Sequence, residues 1–298
     1  MFHRYMALSE SFLILIFTSF GIWIIFKTKR RIRNQDYSSK KFSINQLLIL
    51  ALFCAHFMVG LMRLGYHFTS LYDKSKKLPR IFSASMVLSC GFEVLYTTII
   101  PVERYLSIRF PFHSALKEKL YRKIYFIVSP LFLTAFFALT MFYTGFILPF
   151  AVIVLGILVI LVCNLLLYGI VNKQNKHIDS TMVHGSSVKE KEEKDRRRKI
   201  QNRSFKICAL MTLTYVFLWV PYIAFTFILE TNKELLMYYH FISFLAYLNP
   251  IIDVLIYMIW NKEMRRTLSM QFRKKSTNED VKERRVRSQT VVTVDTEI

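Results

Sequence analysis

The chain has 298 residues, of which 53% are apolar and 15% aromatic, and a mean hydropathy of +0.32. That is too apolar for a soluble domain of this length, and the apolar residues come in blocks of membrane-spanning size. A net charge of +21 would fit a nucleic-acid binder, but the basic residues are spread over the short segments between the blocks, which argues against nucleic acid as a partner.

Seven apolar blocks follow in chain order, at 5–26, 44–66, 80–108, 124–142, 147–171, 205–229 and 236–260. A spanning helix needs roughly 20 such residues. Length separates the fourth block from the fifth. Ile124 to Asn172 is a run of 49 residues without a charge. As one helix it would be about 74 Å long, more than twice the bilayer core, so it must fold back. Tyr143-Thr144-Gly145 is its most turn-like point. If the N-terminus lies outside, the inner segments hold 34 of the 41 Lys and Arg residues and the outer ones 7. The positive-inside rule therefore predicts an outside N-terminus, with inner loops facing anionic membrane lipid. The first span is expected to serve as its own insertion signal. Cys54, Cys90, Cys163 and Cys208 all fall within spans, leaving none for an outer disulfide. The expected fold is an all-α integral membrane protein, a seven-transmembrane helix bundle.

The longest polar segment, 172–204, reads as helical extensions of spans five and six around a His184-Gly185-Ser186-Ser187 centre, either a solvated loop or a coupling surface. After span seven, Trp260, Met264, Leu268 and Phe272 recur every four residues among Arg265, Arg266, Arg273, Lys274 and Lys275. This predicts a short amphipathic helix at 262–273 in the inner headgroup layer. Residues 1–273 form the expected membrane domain, and 274–298 a polar tail expected to be disordered. Ser288 follows Arg284, Arg285 and Arg287, the pattern of a basophilic phosphorylation site. Thr296 and Ile298 match the C-terminal ligand of a PDZ-domain protein, a match only three residues long against which chance is the rival.

Three polar signatures interrupt the apolar blocks: Glu103-Arg104-Tyr105, Trp219-Val220-Pro221, and Asp253 followed four residues later by Tyr257. Ionisable groups are costly inside a membrane and are usually functional there. Adjacent Glu and Arg can neutralise each other at the interface. Pro221 deprives the carbonyl of Phe217 of its helix donor and predicts a kink. His56, Glu93 and Asp253 fall near mid-depth, where polar groups need partners. With Asn249 they are expected to form one buried polar cluster.

Together with Ile108-Arg109-Phe110-Pro111-Phe112 and Asn261-Lys262-Glu263-Met264-Arg265, these signatures resemble the rhodopsin-like (class A) G-protein-coupled receptors, in a divergent, chemosensory-type form. The resemblance implies a plasma-membrane receptor whose partners are a heterotrimeric G protein and arrestin. It implies that Arg104 is held by Glu103 at rest and released to face the G protein. It makes Pro221 a hinge beside Trp219, and Tyr257 an inward-swinging gate.

Departures from the family pattern are specific. Val254 stands where the family carries proline, and Asn249-Pro250 lies one turn earlier, so a displaced kink is expected in span seven. Leu218 and Tyr215 replace the common Cys and Phe, and Gln201 stands near a usual acid. The run Leu52-Phe53-Cys54-Ala55-His56 resembles the span-two motif with His56 in place of aspartate. Either sodium control is lost, or Glu93 and Asp253 rebuild a site, or His56 and Glu93 form a proton-sensitive pair.

By the same resemblance, the ligand pocket is lined by Met86, Cys90, Trp219, Tyr222, Ser243 and Tyr247, apolar and aromatic, suited to a lipid, odorant or small peptide. Met86 and Tyr247 stand where amine receptors and opsins carry aspartate and lysine. The competing classes are a transporter or channel, and a non-signalling scaffold acting through its tail. No nucleophile–base pair or metal-ligand spacing is visible, so neither an enzyme nor a cofactor is expected.

Overall fold

The computed structural model describes residues 2–35, 43–72, 77–110, 118–143, 147–181, 188–231 and 236–271. Within them every regular element is helical. In chain order these are α1 (Phe2–Gln35), α2 (Ile44–Tyr72), α3 (Lys77–Arg109), α4 (Glu118–Lys123), α5 (Ser129–Tyr143), α6 (Ile147–Thr181), α7 (Val188–Thr231), α8 (Leu236–Tyr247), α9 (Asn249–Trp260) and α10 (262–271). Among the described residues, six stretches are long and apolar enough to cross a membrane: Tyr5–Ile32, Ile44–Tyr72, Lys77–Arg109, Val154–Lys173, Phe205–Thr226 and Met237–Trp260. These are the features of an α-helical multi-pass membrane protein.

The block at 124–142 is helical too, but not uniformly. Ile124–Val128 widens into a π turn between α4 and α5. The cause is local: Pro130 has no N–H to give the carbonyl four residues back, and the Ser129 hydroxyl donates to the Ile124 carbonyl at 2.9 Å. The expected fold-back lies at 144–146, outside the described residues. The expected extensions of spans five and six are present, since α6 runs on to Thr181 and α7 begins at Val188. The His184–Ser187 centre between them is outside the described residues.

Helices α1 and α2, α2 and α3, and α5 through α9 in turn pack side by side, and α9 returns to pack against α1. Helix α3 sits inside this ring, touching α2, α5, α6 and α7. The core falls into two apolar clusters. One contains Ile24, Leu52, Phe53, Tyr96, Tyr257 and Met264. The other contains Ile14, Val59, Cys90, Val94, Tyr215, Trp219, Tyr247 and Ile251.

Helices α1, α2 and α9 approach closely at Gly21. A Cβ there would stand 2.9 Å from Phe53 Cε2 and 3.1 Å from Val254 Cγ1, whereas at Gly169 it would meet nothing within 4 Å. Overpacking a filled site costs about 1–3 kcal/mol. Gly21→Leu is therefore expected to lower the apparent melting temperature of the purified protein, and Gly169→Leu to leave it unchanged. Equal effects at the two sites would show that this close approach does not matter.

Helix starts place two residues that matter later. Ser43 and Gln46 form a capping box, with Gln46 N donating to Ser43 Oγ and Ser43 N to Gln46 Oε1, both at 3.3 Å. That box sets Asn45 in the first turn of α2. Asn261 Oδ1 accepts from the backbone of Glu263 (3.0 Å) and Met264 (3.3 Å), which starts α10. Helix α10 then docks on α1: Thr28 Oγ1 and Arg31 Nη1 donate to Thr267 Oγ1 at 3.1 and 3.4 Å, and Met264 is buried. Of the predicted stripe, Trp260 stays partly exposed and Leu268 packs on the core. Phe272 and the basic residues after it are outside the described residues.

Candidate functional site

A buried polar layer lies between the two apolar clusters. His56 comes from α2, Glu93 from α3, and Asn249 and Asp253 from the first turns of α9. The break before α9 makes this placement possible. Leu248 forms a tight turn (Leu248 N to Leu245 O, 3.1 Å), and Pro250 follows in the first turn of the new helix. The interruption in the Met237–Trp260 stretch thus falls at Asn249-Pro250, not at Val254.

His56 Nε2 donates to Asp253 Oδ2 at 3.1 Å, the imidazole tautomer following from that partner. Asn249 Nδ2 donates to Glu93 Oε1 at 3.0 Å and to Asp253 Oδ2 at 3.2 Å. His56 Nδ1 lies 3.7 Å from Glu93 Oε1, beyond hydrogen-bond range but within ion-pair range. All four side chains are buried. Glu93 Oε2, Asp253 Oδ1, Asn249 Oδ1 and His56 Nδ1 have no hydrogen-bond partner among the described residues. The layer therefore holds more acceptors than donors, and its bonding depends on where its protons sit. Among the described residues no three His, Cys, Asp or Glu side chains converge as metal ligands.

Aromatic rings continue from this layer toward the Glu10 end of the bundle. The Tyr215 ring stacks on Trp219, with centroids 5.6 Å apart. Trp219 meets Tyr222 and Tyr247 edge-on at 5.6 and 5.9 Å. The Trp219 indole N–H lies beside the Glu93 carboxylate without meeting hydrogen-bond geometry. Tyr222 and Tyr239 share a hydroxyl hydrogen bond of 3.2 Å, and the Tyr247 hydroxyl points at Met86 Sδ at 3.9 Å. Cys90 is buried in the same cluster, and Ser243 is half-buried one turn before Tyr247. Pro221 lies inside an unbroken α7, two residues beyond Trp219.

At the opposite end, Glu103 is buried and Arg104 and Tyr105 are half-buried. Ser107 Oγ donates to Glu103 Oε1 at 2.9 Å. The Asn45 amide, its orientation assigned from its partners, bridges the two charged residues. It donates to Glu103 Oε2 at 2.5 Å and accepts from Arg104 Nη1 at 3.0 Å. Cys208 on α7 and Tyr257 on α9 both lie within electrostatic reach of the half-buried Arg104. Tyr257 is buried edge-on against Phe53, with centroids 5.8 Å apart. Arg203 Nε donates to the Trp260 carbonyl at 2.6 Å, joining α7 to the end of α9.

Three features escaped the sequence reading. Asn45 is one polar residue in a helix start, and nothing local marks it as a bridge. Pro101 lies inside α3, two residues before Glu103. The third is an ion pair: Glu10 Oε2 of α1 stands 2.6 Å from Arg63 Nη2 of α2, with both side chains almost wholly buried. Its signal was available as one acid and one base inside two apolar blocks. Pro111 and Phe112, the Gln201 side chain, Ser288, Thr296 and Ile298 are outside the described residues.

No protein-family model matches the chain, and no curated protein matches it.

Proposed function

We infer that this chain is a ligand-activated receptor of the rhodopsin-like type, with seven spans and an outside N-terminus, which passes an extracellular signal to a heterotrimeric G protein. The observation that carries the reading is the state of Arg104. It sits at the end of α3 beside a buried Glu103, tied to it through Asn45 on α2, and within reach of Tyr257 on α9. A guanidinium restrained by a neighbouring helix, with a tyrosine of a third helix nearby, is a two-state element that a ligand can bias. The aromatic cluster around Trp219 and the polar layer beneath it connect the other end of the bundle to that element. The fourth span is the helix through 118–143, and the basic inner segments set the orientation. Plasma-membrane placement, arrestin binding and the tail motifs belong to the same reading.

The test is ligand-independent nucleotide exchange on purified G proteins, comparing wild type with Arg104→Ala at equal membrane levels. Exchange is expected to fall to background in the variant. Basal exchange that persists unchanged removes Arg104 from coupling.

A second reading rests on one observation. Two carboxyls and an imidazole buried in one layer also suit the proton relay of a transporter. Proton uptake into liposomes by the purified protein, surviving Arg104→Ala and lost in His56→Leu, would favour it.

A further inference from the structure

The Glu10–Arg63 pair lies against the aromatic cluster, and its two members are held unequally. Arg63 is 5% exposed and Glu10 1%. The Arg63 guanidinium also sits over the face of Tyr247, its Cζ 3.6 Å from the ring centroid. Among the described residues, Glu10 has only Arg63. The contact is short and charge-assisted, yet Arg63 Nη1 and Glu10 Oε1 have no hydrogen-bond partner among the described residues. A buried guanidinium with a free donor, stacked on one ring and paired with a single carboxylate, is a site that another carboxylate can take.

We propose that Arg63 anchors the carboxylate of an amphiphilic ligand, which exchanges with Glu10 while its apolar body packs on Met86, Tyr222 and Tyr247. This deepens the receptor reading by naming its ligand class, and it rests on the aromatic cluster being the ligand pocket. Exchanging one carboxylate for another keeps the buried cation paired, which avoids the heavy cost of leaving it alone. A neutral amphiphile cannot replace Glu10 on those terms. An ammonium ligand would have to draw Glu10 away from Arg63 and leave the guanidinium unpaired over Tyr247, so the site selects by sign. Met86, Tyr222 and Tyr239 are only half-buried, so the cluster is open on that side. The same move carries a signal: Arg63 touches Tyr247, Tyr247 touches Trp219, and Trp219 lies beside Glu93 of the polar layer.

The experiment measures saturable binding of radiolabelled dodecanoate to the full chain in lipid nanodiscs, without G protein. Dodecanol and dodecyltrimethylammonium serve as competitors. Arg63→Gln is expected to weaken binding at least about tenfold, and Glu10→Gln, which removes the internal competitor, to tighten it by about the same factor. Because Arg63→Gln leaves Glu10 buried and alone, the double variant Glu10→Gln/Arg63→Gln supplies a neutral pair. It is expected to fold with a wild-type melting profile and still not bind. The proposal is overturned by absent saturable binding, by equal competition from the alcohol or the ammonium, or by binding indifferent to either substitution. Since no G protein takes part, failure here leaves the Arg104 test standing, and failure of that test leaves this one readable.

Discussion

His56→Leu is expected to lower the apparent melting temperature of the purified protein by roughly 2–12 °C. This takes about 1–3 kcal/mol for leaving a buried acceptor without its donor and about 2–4 °C per kcal/mol. The imidazole faces both carboxyls, 3.1 Å from Asp253 and 3.7 Å from Glu93, as the Asn249 amide does from the other helix. Removing it leaves Asn249 as their only described donor. The same geometry predicts non-additivity. His56→Leu/Asp253→Leu should cost less than the sum of the single substitutions, because the second change removes an acceptor that the first left without its donor. Thermal melting of the two single variants and the double variant decides this. Strictly additive losses, or a His56→Leu loss below about 1 kcal/mol, would mean that the four side chains are satisfied separately.

Asn45→Leu should raise ligand-independent nucleotide exchange. The Asn45 amide is the described link between Glu103 and Arg104. Hydrogen bonds to charged groups are worth about 1.5–3 kcal/mol, so losing the bridge shifts the balance between restrained and free Arg104 by roughly tenfold or more. The capping box of Ser43 and Gln46 flanks Asn45 without using its side chain, so the start of α2 survives the change. Adding Arg104→Ala to Asn45→Leu should return exchange to background. Exchange that falls or stays level in Asn45→Leu, at equal membrane levels, removes the bridge from the resting state.

Much of the scaffold was legible because hydropathy and length act locally. Apolar runs near 20 residues must be helical in lipid, since backbone groups have no other donors there. The break at Asn249-Pro250 was legible for a similar reason, because proline cannot continue a donor ladder. Bringing together His56, Glu93, Asn249 and Asp253 needed only the premise that polar groups at one depth seek each other. What stayed hidden was pairing between helices. Nothing around Asn45 separates a surface amide from a bridge to α3. Glu10 and Arg63 were visible as charges in apolar blocks, but their contact depends on how α1 and α2 are rotated, and weak amphipathicity does not encode that rotation. The π turn at Ile124–Val128 has no trace in the apolar pattern, which does not register the missing N–H of Pro130.

The length of α7 has a mechanical consequence. Thirty-three residues separate Val188 from Pro221, a rigid arm of roughly 50 Å. A swing of only about 10° at the proline would sweep the far tip through about 9 Å while atoms near Trp219 barely shift. Leverage of this kind turns a sub-ångström adjustment among packed rings into a displacement large enough to open or shut a protein-sized docking notch.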